Sequence, residues 1–465
     1  SSKVSCFVIA YFSYTNRYGQ YKPQFEKTLK MQILPNNCHF ENIIDLKNTI
    51  TKYFDFYKLP YERSDFNYNY LTPIKDTFEV ILGRNNEKIL IPAERYFPFL
   101  YRGQQFDYEP CLPTLYRGAP SEFEIFVEKL RLTEFLSLID SHPVVDSVFK
   151  KQNFKIDYIG LAQHYGLKTN YIDLTNDIDI ALFFAMCKYN KEKDSYEPIM
   201  TEGKQKAVMY ISVPIFNMTI DNNFVFEDKI CIIGIQPFSR PGKQKGFAYN
   251  FDISKEFKAF KYTFSYTQKD SKEYFEKFDN GNALWNKDIL ADKAKQLFEK
   301  TDFTIDIFNK AWKLFPINKI SKTKARKDLL ERNISISTHN NQLTWTKSEK
   351  DIIVQKWNEE QIESFIYQTR RKFWREKEGD KAGKKYNYRT LEMLEELEFL
   401  RLVGNRSGIE EYIQQNQNKK GQNFYKPNNI RKDTGWKKIP GRYEAVKAEI
   451  FLEKKDLMIN TAHNK

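Results

Sequence analysis

Phe99-Leu-Tyr-Arg-Gly-Gln104 reads as a short apolar strand that delivers one arginine to a glycine turn. Further on, Gln163-His-Tyr-Gly-Leu-Lys-Thr-Asn-Tyr-Ile-Asp-Leu-Thr175 reads as a helix end, a glycine, then a strand carrying Thr169 and Asp173. Together these stretches concentrate polar groups suited to an anionic ligand. The Arg102 guanidinium can grip a pyrophosphate with two parallel N–H donors, and Gly103 lacks the Cβ that would keep a ligand off the backbone. The other reading of Arg102 is a structural arginine paired with a carboxylate such as Asp173.

Working outward, Val4–Phe12 is apolar but short and reads as a strand rather than a signal peptide. The spacing of Ile43, Ile44, Leu46, Ile50 and Phe54 predicts an amphipathic helix over residues 40–57 that covers a sheet. Two β-branched runs, 78–82 and 88–91, flank a turn composition and predict a hairpin. Ser121 and Glu124 have the spacing of a capping box, with a helix beyond. A second helix ends at Gly166, where glycine supplies a left-handed conformation cheaply. Thr175 is placed to cap the nearly all-apolar helix through Ala181–Ala185, with Asp177 and Asp179 near its positive end. Strands follow at 208–213, 230–234 and 247–251, so helices and strands intersperse without strict alternation, the pattern of an α+β domain over residues 1–262.

Residues 263–465 carry helical periods instead, for example Ile362, Phe365, Ile366, Thr369 and Phe373, and again Leu391 to Leu400. A mainly helical basic region is expected, with a sheet-like piece near Ile334–Trp345. Arg370, Arg371 and Lys372 cluster on one helix beside Phe373 and Trp374, and Lys437 and Lys438 stand near the tail beside Trp436. Cations neutralise phosphates and flanking aromatics stack on unpaired bases, which suits RNA or DNA; a solvated helix face and tail is the competing reading.

At 465 residues the chain has room for two or three full cores, and 41% apolar with 16% aromatic residues is a globular composition. The formal charge of +13 favours polyanionic partners, although an Asn-, Lys- and Tyr-rich composition produces such a charge on its own. Five scattered cysteines without a CxxC pair argue for a reducing, cytoplasmic setting and against structural zinc. No apolar run reaches the length of a membrane span, and no nucleotide-loop, zinc-protease or nucleophile-elbow motif is present.

Tyr101-Arg-Gly-Gln104, Leu112-Pro-Thr-Leu-Tyr-Arg117, Ala162-Gln-His-Tyr-Gly166 with Thr169, Asp173 and Thr175, and Ala181-Leu-Phe-Phe-Ala185 together resemble the FRG domain family, with a weaker match at Arg240–Phe247. The resemblance implies an ADP-ribosyltransferase-like mixed sheet with helices, and NAD as the cofactor. Tyr101, Arg102, Gly103, Gln104, Arg117, Gln163, His164, Tyr165, Thr169 and Thr175 would bind it. In Arg-Ser-Glu transferases a strand arginine holds the cofactor, and Arg102 is similar to it. A Ser/Thr on a second strand shapes the site, for which Thr169 and Thr175 are candidates. Where the third strand's acid is expected, this chain has Lys243-Gln244-Lys245.

Departure of nicotinamide leaves an oxocarbenium-like sugar that a carboxylate stabilises. Gln244 brings no charge; Asp173 can supply it, with Glu227 and Asp228 as weaker substitutes. His164 suits a ribose hydroxyl, a phosphate or a base role, or else a capped structural position. The implied activity is ADP-ribosyl transfer to nucleic acid or protein, or NAD hydrolysis, in a bacterial toxin or anti-phage effector with an antitoxin or regulatory partner. The alternative is a non-catalytic module that binds a nucleotide or a partner, with a basic region that docks on nucleic acid.

Overall fold

A mixed seven-stranded sheet organises the chain, and the site lies where two of its central strands separate. The computed structural model describes residues 37–62, 70–71, 78–82, 88–92, 99–212, 216–218, 224–226, 230–234, 237–253, 257, 259–339, 341–369, 373–376, 443–446 and 453–460. They belong to one structural unit, Asn37–Lys465. The expected strand at Val4–Phe12, the helical period over Leu391–Leu400, Glu227, Asp228 and the basic residues Arg370, Arg371, Lys372, Lys437 and Lys438 lie outside the described residues.

The sheet strands, in chain order, are β1 (Cys38–Phe40), β2 (Leu100–Gln104), β3 (Tyr171–Thr175), β4 (Gln205–Ser212), β5 (Ile230–Ile232), β6 (Gly246–Asn250) and β7 (Phe260–Tyr266). Their spatial order is β1-β7-β4-β2-β3-β6-β5, with β1 parallel to β7 and the other neighbours antiparallel. Alternation puts Leu100, Ile172, Leu174 and Phe247 on one face, where they pack with Tyr249 and Phe251.

Helices cover both ends of this arrangement. α1 (Ile43–Glu62) buries Ile43, Leu46 and Ile50, whereas Ile44, expected on the same stripe, is 69% exposed. One position of helical phase is 100°, which carries Ile44 round to solvent. α2 (Glu122–Asp140) begins with the expected capping box: the Ser121 hydroxyl accepts from Glu124 N and the Glu124 carboxylate accepts from Ser121 N. α3 (Tyr158–His164) ends before Gly166, whose φ of 89° is the left-handed turn that glycine tolerates best. α4 (Ile178–Met186) lies across β2, β3 and β4. Its cap is Asp177, which accepts from Asp179 N; Thr175, expected to cap it, instead accepts from Asp177 N and closes the turn before it. The hairpin Phe78–Leu82/Lys88–Pro92 forms as expected.

Beyond β7 the elements are mainly helical, with Asp302–Thr304 and Ser335–Ser337 as a small parallel pair. The helix expected to run through Phe373 stops at Thr369, and Phe373–Glu376 is a strand between Tyr443–Val446 and Tyr70–Leu71. Pairing of its backbone on both sides outweighs the local helical period. One core joins α2 residues Phe135, Leu138 and Ile139 to Tyr165, Leu297, Trp345, Trp357, Phe365 and Leu457, so residues before and after 262 are packed together. The Trp345 and Trp357 indoles donate to Leu138 O and Leu457 O, which satisfies the one polar atom each carries inside. No described helix is long and apolar enough to cross a membrane.

Candidate functional site

β2 and β3 pair at Tyr101–Thr175 and then part. At the opening the Arg102 side chain takes over from the ladder, and its Nη1 donates to the main-chain oxygen of Asp173 at 3.1 Å. By strand alternation Arg102 leaves β2 on the Leu100 face, while Asp173 points to the face of Tyr101 and Thr175, so the two reach the opening from opposite faces. Arg102 is therefore not paired with the Asp173 carboxylate. Its Nε is buried without a partner, and opposite it on β4 the Tyr210 hydroxyl is also buried without one. Arg117 comes from the segment after Pro113, with Nε bonded to Leu112 O and the guanidinium 5.5 Å from the Tyr108 ring. Partial burial and then the neighbouring Arg102 charge weaken its hold on its proton. Two guanidiniums without a carboxylate partner among the described residues thus stand near each other, an arrangement suited to an anion.

On the other side of the opening the motif residues form two short chains of hydrogen bonds. The Thr169 hydroxyl donates to Gln163 Oε1 at 2.5 Å, and Gln163 Nε2 donates to Asp173 Oδ2 at 3.1 Å. Gln244 Nε2 donates to Leu284 O, which leaves its Oε1 to accept from His164 Nδ1 at 2.7 Å. The proton of a neutral His164 ring is thereby assigned to Nδ1, and Nε2 presents a lone pair. That atom lies 3.9 Å from Asp173 Oδ1, and neither has a hydrogen-bond partner. Two buried acceptors facing each other at that separation want donors between them. His164 is nearly buried, but the Asp173 side chain is 38% exposed, so the approach runs past Asp173.

The remaining candidates serve this frame rather than line an opening. Gly103 leaves no room for a ligand: a Cβ there would stand 1.8 Å from Ala181 O, so the glycine lets α4 seat on β2. Tyr101 is buried edge-on to Phe99, and Gln104 is buried with its Oε1 unpartnered. Tyr165, expected to bind the cofactor, is buried and donates to Asp288; burial first, and that carboxylate second, hold its hydroxyl well above the usual tyrosine range. Thr175 is buried in the α4 turn.

Sequence reasoning assigned no role to Arg240, which is buried with its guanidinium 5.0 Å from the Tyr165 ring and 3.8 Å from Trp285. Arg240 Nη2 donates to Asn286 O while Gln244 donates to Leu284 O, so the 284–286 segment backs the His164 side of the site. No local pattern marks Leu284–Asn286, because their part is played by main-chain carbonyls some forty residues from Gln244.

No curated protein and no solved structure matches this chain. A family model described as the FRG domain matches residues 98–194, a span that contains both the Arg102 stretch and the Gln163–Thr175 network. On that match, residues 98–194 form an FRG domain within this chain.

Proposed function

We propose that the FRG domain binds NAD and promotes transfer of its ADP-ribosyl group. The observation that carries this reading is the pair of acceptors without a partner among the described residues, His164 Nε2 and Asp173 Oδ1, 3.9 Å apart across the strand opening from Arg102. A vicinal diol has two hydroxyl donors side by side and suits such a pair, and a pyrophosphate suits Arg102 with Arg117. NAD supplies a ribose carbon whose bond to nicotinamide breaks, with the electron pair leaving on the nicotinamide nitrogen. The Asp173 carboxylate, oriented by Gln163, would oppose the positive charge developing at that carbon. His164, held by Gln244, would keep the sugar in register by accepting a hydroxyl at its free Nε2, and the attacking hydroxyl would lose its proton to bulk water. Attack by a protein or nucleic-acid group gives a transferase; attack by water gives a glycohydrolase. A bacterial toxin or anti-phage effector with a regulatory partner is the setting this reading suggests.

A second reading is favoured by Gln244. It is neutral and has both ends engaged, where Arg-Ser-Glu enzymes place a carboxylate. A site of this kind can hold a nucleotide without turning it over. Incubation with radiolabelled NAD, with and without RNA, DNA and cell lysate, separates the two. Label on a macromolecule, or free nicotinamide, lost at least about 100-fold in Asp173→Asn, supports catalysis. Saturable NAD binding without either product supports the binding module, and no binding at all refutes both.

A further inference from the structure

We infer that the loop after β2 is the base-stacking half of a nucleoside diphosphate subsite, with Phe106 as the platform. This rests on the nucleotide reading above and deepens it by naming which part of the ligand this loop takes. Phe106 is 61% exposed and Tyr108 46%, on a loop that starts directly after the Arg102 strand. Their rings meet in a T-shaped contact at 6.0 Å, so the two form one supported and largely exposed aromatic surface. Arg117 covers Tyr108 at 5.5 Å, which links the aromatic pair to the guanidinium pair.

Charge complementarity selects the occupant. Asp107 and Glu109 on the same loop both bond Lys261, which offsets one of their two charges and pins the loop to β7, while Arg102 and Arg117 outweigh the charge that is left. Among the described residues Arg102 and Arg117 have no carboxylate partner, and the buried Arg102 Nε and Tyr210 hydroxyl are donors with nothing to bond. Exposed aromatic surface beside unspent cationic donors fits a ligand with a flat ring at one end and a diphosphate at the other. An apolar peptide would leave the guanidiniums unused, and an inorganic anion would leave the rings bare.

The test is calorimetric titration of the full chain with ADP, inorganic pyrophosphate and a short oligoadenylate. ADP should bind wild type, and Phe106→Ala/Tyr108→Ala should weaken it about 5- to 150-fold, the range for loss of a stacked base, with pyrophosphate affinity within about twofold. Tyr108→Phe should retain ADP binding, because the edge contact survives. Both rings are at the surface, so unchanged circular dichroism is expected in all variants. ADP affinity unaltered in the double variant, a parallel fall in ADP and pyrophosphate, or oligoadenylate binding with ADP silent would each overturn the inference. NAD bound and processed alike by wild type and double variant sinks the aromatic subsite alone. Failure of wild type to bind NAD sinks the reading of the whole site.

Discussion

Replacing Gly103 with alanine is the sharpest test of how the FRG motif builds its site. An added Cβ would lie 1.8 Å from Ala181 O, 2.7 Å from Ala181 C and 3.0 Å from the Ala185 Cβ. The first two are helix backbone, which cannot swing aside as a side chain can. To restore ordinary contact α4 would have to retreat by about 1.6 Å along its length or tip at one end, opening gaps where Ala181, Leu182 and Ala185 are fully packed against the sheet. Overpacking of a core costs about 1–3 kcal/mol where side chains can adjust, so a backbone clash should cost at least about 3 kcal/mol.

Gly118 is the control. Its φ of 77° penalises alanine, but nothing lies within 4 Å of a Cβ there, so Gly118→Ala should cost only about 1–2 kcal/mol. The assay is urea unfolding followed by tryptophan fluorescence, comparing midpoints of the two variants with wild type. A Gly103→Ala midpoint at or above that of Gly118→Ala would refute the reasoning, because the loss would then reflect generic glycine chemistry rather than the seat of α4.

Two further outcomes follow from buried charge. Glu134 is fully buried and paired with Lys300 at 2.7 Å, so Lys300→Met should destabilise by about 3–5 kcal/mol by stranding the carboxylate, and adding Glu134→Leu should recover part of that loss in the same denaturation assay. Burial by itself pushes the Asp179 carboxyl up, but hydrogen bonds from Lys277, Lys47 and Tyr274 outweigh it and bring it to about 2. Since the folded value lies below the unfolded one of about 4, this contribution is present at neutral pH and is lost as pH falls from about 4 through 2. A urea midpoint that falls over that window in wild type should fall less in Asp179→Asn; identical slopes would refute the assignment.

Much of the local structure was legible in the chain because it rests on short-range rules. A Ser-x-x-Glu pair caps α2 within one turn, a glycine ends α3, and β-branched runs around a turn make a hairpin. Each depends on residues within a few positions of one another. The helix expected through Phe373 was misread for the complementary reason: its strand pairs with residues some seventy positions after and three hundred before it, which no local period records.

The same division runs through the site. Arg102, Gln163, His164, Thr169 and Asp173 all fall in the stretch matched as an FRG domain and concentrate the polar chemistry, and that much the chain determines alone. Only the tertiary structure decided what each does. It set Gly103 under α4, turned Arg102 to a main-chain oxygen instead of a carboxylate, tied Gln244 between His164 and Leu284, and left His164 and Asp173 facing each other without a donor. The physical reason is that a side chain's role depends on which neighbour satisfies it, and here those neighbours are backbone atoms brought in from distant strands and loops.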